Sequence, residues 1–174
     1  TFGASGDMDA EAVVMTLEKQ FGKWKSPAKY KRIPNQHFEV EGGSVKVETP
    51  DKANAMFLAA QNLPISQDHP DYAALTLANY MLGGGFLNSR LASRIRAKDG
   101  LSYGVGSQMN ANAIDDAGLF LTYAIYNPSN REALEKAFKE EIDRARAEGF
   151  TQEEIDAARG GWVQSRSVNR AQDN

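Results

Sequence analysis

The 174-residue chain contains no cysteine and only two histidines, His37 and His69. Without thiols it can build no disulfide scaffold, no cysteine-ligated zinc or iron–sulfur centre and no thiol nucleophile. Imidazole for a metal or a proton relay would have to come from those two positions. An excess of charge is lacking as well: 20 Lys+Arg against 23 Asp+Glu leave a formal net charge of −3, which gives no global field for nucleic acid or anionic membranes. No apolar run approaches the roughly 18 residues of a membrane span, and nothing at Thr1 resembles a signal peptide. What is present is ordinary globular material, 41% hydrophobic and 25% charged, in a chain long enough to bury roughly 70% of its unfolded surface. The chain opens on Thr1 rather than Met, and its last helical segment has no Gly or Pro stop, so we expect a piece of something longer.

The pattern along the chain predicts an α+β organisation. Asp7 and Asp9 are good helix caps, and Ala12, Val13, Leu17 and Phe21 follow at helical spacing before Gly22. Residues 23–44 carry Pro27, Pro34, Gly42 and Gly43 and the basic cluster Lys23, Lys25, Lys29, Lys31 and Arg32, and read as a solvated linker. Val45-Lys46-Val47-Glu48 alternates with period two and predicts a half-exposed strand, while Ala55–Leu63, apolar on both faces, predicts a central one. Asp68-His69-Pro70-Asp71 opens a helix with Tyr72, Leu75, Ala78 and Leu82 on one face, ended by Gly83-Gly84-Gly85. Phe86–Ala97 predicts a second, more basic helix with Leu87, Leu91 and Ile95 four apart. Ser102–Met109 and Gly118–Tyr126 predict a hairpin across a polar turn containing Asn110, Asn112, Asp115 and Asp116. A helix with the stripe Leu134, Ala137, Phe138, Ile142 and Ala145 should close at Gly149. Thr151-Gln152-Glu153-Glu154 is a capping box for a final helix, in which Gly160-Gly161 costs roughly 1 kcal/mol per glycine and so marks a kink or a close helix contact. The order β-β-α-α-β-β-α-α predicts a two-layer sandwich with a mainly antiparallel sheet packed against helices. We take residues 1–44 as the end of a preceding region and its linker, and 45–174 as one domain cut inside its last helix.

Few chemistries fit these residues. A zincin-type site needs two histidines one turn apart with a glutamate to activate the metal's water, and neither His37 nor His69 has a histidine at that spacing. His37-Phe38-Glu39 imitates half of a deaminase signature whose thiolates are missing. Gly83-Gly84-Gly85 could offer amides to a phosphate, but no Gly-Lys-Ser/Thr follows, and Gly104-Val105-Gly106 is not continued as a dinucleotide fingerprint. A tight helix–helix turn is the preferred reading there. No G-x-S-x-G nucleophile elbow occurs.

One stretch is distinctive: Ser89-Arg90-Leu91, then Arg96-Ala97-Lys98-Asp99-Gly100-Leu101-Ser102-Tyr103. It resembles the M16 family of zinc peptidases, which includes pitrilysin, insulin-degrading enzyme and the mitochondrial processing peptidases. Asp51-Lys52-Ala53-Asn54, the 68–85 helix and Gly149–Glu154 resemble the same family, so the likeness covers most of the chain. The resemblance implies a LuxS/MPP-like metallohydrolase fold. It also implies a non-catalytic domain, because the inverted HxxEH motif and distant glutamate that hold the family's zinc are absent. Zinc is then expected in the N-terminal half of the parent protein, which would be this domain's partner together with a peptide substrate. Family members carry an Arg/Tyr pair directed at the scissile peptide, and the matching positions are Arg96 and Tyr103. A guanidinium and a phenol O–H are donors suited to a substrate carbonyl or its oxyanion. They would converge only if a turn at Gly100 folds helix and strand together. The long glycine-rich loop of the processing peptidases is missing. Gly-Gly-Gly-Phe-Leu-Asn-Ser-Arg-Leu followed by Asp-Gly-Leu-Ser-Tyr is most similar to large bacterial members built of two homologous halves, and the closing Gly161–Arg166 resembles their C-terminal half, which lacks zinc ligands; such proteins are typically exported to the periplasm. The alternative is an M16-like scaffold or assembly subunit without peptidase function, which an HxxEH motif upstream of Thr1 would argue against.

Overall fold

The computed structural model describes residues 2–171. They form two compact units, one of residues up to Ile33 together with those from Ser167 onward, the other Pro34–Arg166.

The first unit contains helix α1, Ala10–Phe21. Asp9 caps it as its residue type demands: its carboxylate accepts the amides of Glu11 at 3.0 Å and Ala12 at 3.2 Å, two of the donors a helix start leaves unpaired. The second unit holds a three-stranded antiparallel sheet of β1 (Ala55–Leu63), β2 (Ser102–Ala111) and β3 (Gly118–Tyr126) in the order β1-β3-β2. Helices α2 (Tyr72–Asn79), α3 (Arg131–Glu148) and α4 (Gln152–Ala171) accompany it, α4 running on into the first unit. Two π-helical stretches, Tyr80–Gly84 and Ala92–Lys98, lie between α2 and β2. The α+β character and the antiparallel sheet match the expectation from sequence.

Three local expectations are corrected. Residues 45–48 form no strand. Val45 and Val47 are exposed, and alternation alone does not make a ladder when, among the described residues, no neighbouring strand takes up the backbone N–H and C=O groups. Lys46 and Glu48, two apart, form an ion pair. β1 has the predicted bounds but is an edge of the described sheet, pairing with β3 alone. It is apolar on both faces because Met56 and Leu58, about 60% exposed each, lie on the face opposite Phe57. The predicted helix from Phe86 to Ala97 is broken: Phe86–Asn88 is a short 3₁₀ turn, leaving Leu87 half exposed while Leu91 and Ile95 are fully buried.

The core lies between one sheet face and the helices. Leu82, Leu91 and Ile95 meet Ala124 and Tyr126 of β3 and Leu134 and Ala137 of α3, with the rings of Phe57 and Phe138 4.9 Å apart at 59°. Such tilted packing adds on the order of 1 kcal/mol beyond area burial. Gly161 explains the glycine pair in α4: a Cβ there would lie 2.8 Å from the Tyr80 hydroxyl oxygen, whereas Gly160 has open space. Of the kink or close contact that the glycine pair suggested, a close contact is present, and only at the second glycine.

Candidate functional site

Ser89, fully buried, starts the helical stretch that carries the arginines; its Oγ accepts the Ala92 amide at 3.4 Å and its carbonyl the Ser93 amide at 2.8 Å. From Ala92 to Lys98 the helix is π-type and ends at Asp99, whose N–H donates to the Arg94 carbonyl at 3.0 Å. Gly100 then adopts φ +62°, the left-handed conformation that a glycine takes without steric cost. The turn is closed by the Leu101 amide on the Ile95 carbonyl at 2.8 Å and by Asn130 Nδ2 on the Leu101 carbonyl at 3.3 Å. The chain enters β2 through an irregularity: Ser102 pairs with Tyr126 and Gly104 with Ile125, so Tyr103 is the extra residue of a bulge. Bulges re-aim the side chain they release. Tyr103 is 84% exposed, and the Arg96 guanidinium carbon stands over its ring, 5.5 Å from the centroid, within cation–π range.

The two residues singled out by sequence are thus brought together, through the Gly100 turn. Among the described residues neither the Arg96 guanidinium nor the Tyr103 hydroxyl has a hydrogen-bonding or ion-pair partner within the chain. The five N–H donors of the Arg96 guanidinium and the single O–H of Tyr103 are therefore available to an incoming acceptor.

Sequence reasoning gave no role to Arg90, and the structure gives it a large one. Its side chain is 7% exposed, and it donates from Nε to Glu154 Oε1 at 2.5 Å, and from Nη2 to Glu154 Oε2 at 2.7 Å and the Gly149 carbonyl at 2.9 Å. The guanidinium also lies 4.5 Å from the Phe150 ring centroid. Hydrogen bonds from Arg90 hold the Glu154 carboxyl at about 2, against partial burial, helped by the Thr151 amide. The signal available in the sequence was the capping box, whose glutamate is this same Glu154.

The remaining candidates separate from this site. Gly83 is a close-packing position rather than an anion cradle, since a Cβ would lie 2.5 Å from Ser107 Oγ and 2.7 Å from its amide nitrogen. His37 faces Glu39 at 3.1 Å, and His69 Nδ1 accepts the Asp71 amide at 3.2 Å. Among the described residues no three His, Asp or Glu side chains are grouped to hold a metal, and no helix is long and apolar enough to cross a membrane. These residues do not fit a zinc site.

Residues 1–161 match the family model described as the peptidase M16 inactive domain. The chain belongs to the M16 peptidase family. Over 161 residues it is 30% identical to an uncharacterized zinc protease of Streptomyces coelicolor, covering 90% of this chain and 34% of that protein. The crystal structure of a peptidase M16 inactive domain from Pseudomonas fluorescens matches with a TM-score of 0.58 and 35% identity, over 66% of this chain and 27% of that one. A protease from Helicobacter pylori, at 23% identity, shares the fold with a TM-score of 0.73 over 94% of this chain and 40% of that one. The chain thus spans about a third of the length of the curated relative.

Proposed function

We propose that the chain serves as the zinc-free partner domain of an M16 metalloendopeptidase, forms part of its peptide-binding chamber, and presents Arg96 and Tyr103 to the substrate backbone. The observation that carries this reading is the pairing of an exposed, bulge-borne Tyr103 with Arg96 at 5.5 Å, both free of other partners among the described residues. A guanidinium held against a phenol offers several N–H donors and one O–H donor to a single small region. That suits a peptide carbonyl and suits better the oxyanion that develops from it, because the donors are already oriented when the charge appears. The sheet face beyond the site carries Met56, Leu58 and Ile125, an uncharged surface against which a peptide can lie. The zinc chemistry belongs, in this reading, to an N-terminal half outside this chain, and the parent is exported to the periplasm as the bacterial two-half members are.

The test is kinetic. In the longer protein that carries this domain, Arg96→Ala should lower peptidase kcat/KM on the order of 100-fold while thermal unfolding stays where it was. Kinetics that do not change in the folded variant contradict the role. Recovery of the parent protein in the cytoplasmic rather than the periplasmic fraction would contradict the location.

A further inference from the structure

Arg94 and Arg96 stand two residues apart in one helical segment, yet only one is committed to carboxylates. Arg94 donates from Nε to Asp99 Oδ2 at 2.6 Å and from Nη2 to Glu140 Oε2 of α3 at 2.8 Å. Both Arg94 and Asp99 side chains are about three-quarters buried, so this pair is held more firmly than an open surface ion pair. Glu140 is approached from its own helix by Lys136 at 4.0 Å. Arg96 has no carboxylate partner among the described residues.

Asp99 is the only acidic residue between Asp71 and Asp115, and it lies three positions after Arg96. In an α-helical register a side chain faces those three and four positions before it, which for Asp99 are Arg96 and Ile95. The segment is π-helical instead, and its i→i+5 bond from the Asp99 amide to the Arg94 carbonyl carries Asp99 round to Arg94. The same two residues are therefore joined twice, by backbone and by side chains. The one carboxylate in this stretch of sequence is taken up by the arginine that does not face Tyr103.

We propose that the π register of Ala92–Lys98, locked by the Arg94–Asp99 pair, is a positioning device that keeps Arg96 free of Asp99 and over Tyr103. Arg94 is a positioning residue for Arg96, which deepens the reading of Arg96 and Tyr103 given above and rests on it. Without the Arg94 charge, Asp99 loses its donor, and the α-type pairing with Arg96 three positions back becomes the pairing on offer. Arg96 then leaves the Tyr103 ring.

The experiment is NMR on the chain, reading through-space contacts between the Arg96 δ protons and the Tyr103 ring, and the ring-current displacement of those protons. Arg94→Gln should lose both, with cooperative thermal unfolding preserved. Arg94→Gln combined with Asp99→Asn should regain both, because the amide cannot capture Arg96 as an anion does. Contacts that persist in Arg94→Gln overturn the proposal. So does their loss in both variants, which would make the effect one of simple loosening. If Arg94→Gln does not fold, Asp99→Asn alone decides: the contacts must survive it, and their loss overturns the proposal. Kinetics of Arg94→Gln in the longer peptidase separate the two claims. If the NMR contacts vanish as expected and kcat/KM does not move, the substrate role of Arg96 fails and the positioning stands.

Discussion

Glu154 holds Arg90 and caps its own helix with one carboxylate: Oε2 accepts from Arg90 Nη2 at 2.7 Å and from the Thr151 amide at 2.8 Å, while Oε1 takes Arg90 Nε. The reciprocal bond, Glu154 amide to Thr151 Oγ1 at 3.2 Å, completes the capping box. A helix start is thereby tied to the segment that begins the Arg96 turn.

Glu154→Gln should therefore cost more than a cap. It leaves Arg90 buried without a counter-charge, a loss of roughly 3 kcal/mol, seen as a lower midpoint in denaturant at unchanged slope. A shift under a few tenths of a kcal/mol would show the pair to be energetically idle.

The same carboxylate predicts an acid response. Its folded value of about 2 lies below the ordinary 4.5, so its contribution is complete above about pH 4.5 and is lost as the pH falls towards 2. Thermal unfolding of the wild-type chain should weaken across that window more steeply than that of Glu154→Gln. Parallel curves would remove Glu154 as the cause.

The two glycines of α4 should respond in opposite ways to alanine. Gly160→Ala meets open space and gains helix propensity, up to about 1 kcal/mol of added stability. Gly161→Ala places a Cβ 2.8 Å from the Tyr80 hydroxyl and should be net destabilising. Equal effects would mean that Tyr80 yields at no cost.

On its own the chain should neither bind zinc with stoichiometric affinity nor cleave peptides. Isothermal titration with zinc and a fluorogenic peptide assay, with and without EDTA, check this. EDTA-sensitive cleavage by the pure chain would reassign the active centre to these residues.

In the longer peptidase, Tyr103→Phe should keep the ring under Arg96 but remove the hydroxyl donor, lowering kcat/KM by on the order of tenfold. Combined with Arg96→Ala, the losses should be less than additive if both donors serve one acceptor. Strict additivity would place them on separate parts of the substrate.

Most elements could be read from the sequence because their signals are local. Asp9 and the Thr151–Glu154 box cap the helices they precede, and β1 and β3 have the bounds their apolar runs suggest. The errors lie where structure depends on a partner. Val45–Glu48 has a strand's alternation but no strand neighbour among the described residues, and β1 was read as central because side-chain polarity does not say which strand edges are filled. Leu87 fits the helical stripe of Leu91 and Ile95 by spacing alone, and the 3₁₀ turn at Phe86–Asn88 takes it out of the core.

The site divides in the same way. Composition alone excluded thiol chemistry, the spacing of His37 and His69 spoke against a zincin-type pair, and the resemblance carried by the stretch from Ser89 to Tyr103 marked Arg96 and Tyr103, since residue types and their order are properties of the chain itself. That Arg96 lies over the Tyr103 ring depends on a π turn, a left-handed Gly100 and a bulge against β3 acting together. That Asp99 goes to Arg94 rather than Arg96, and that Arg90 reaches Glu154 across 64 residues of sequence, only the tertiary structure decided. Both are choices among several possible charge partners, and the winner is the one that packing brings within hydrogen-bond reach.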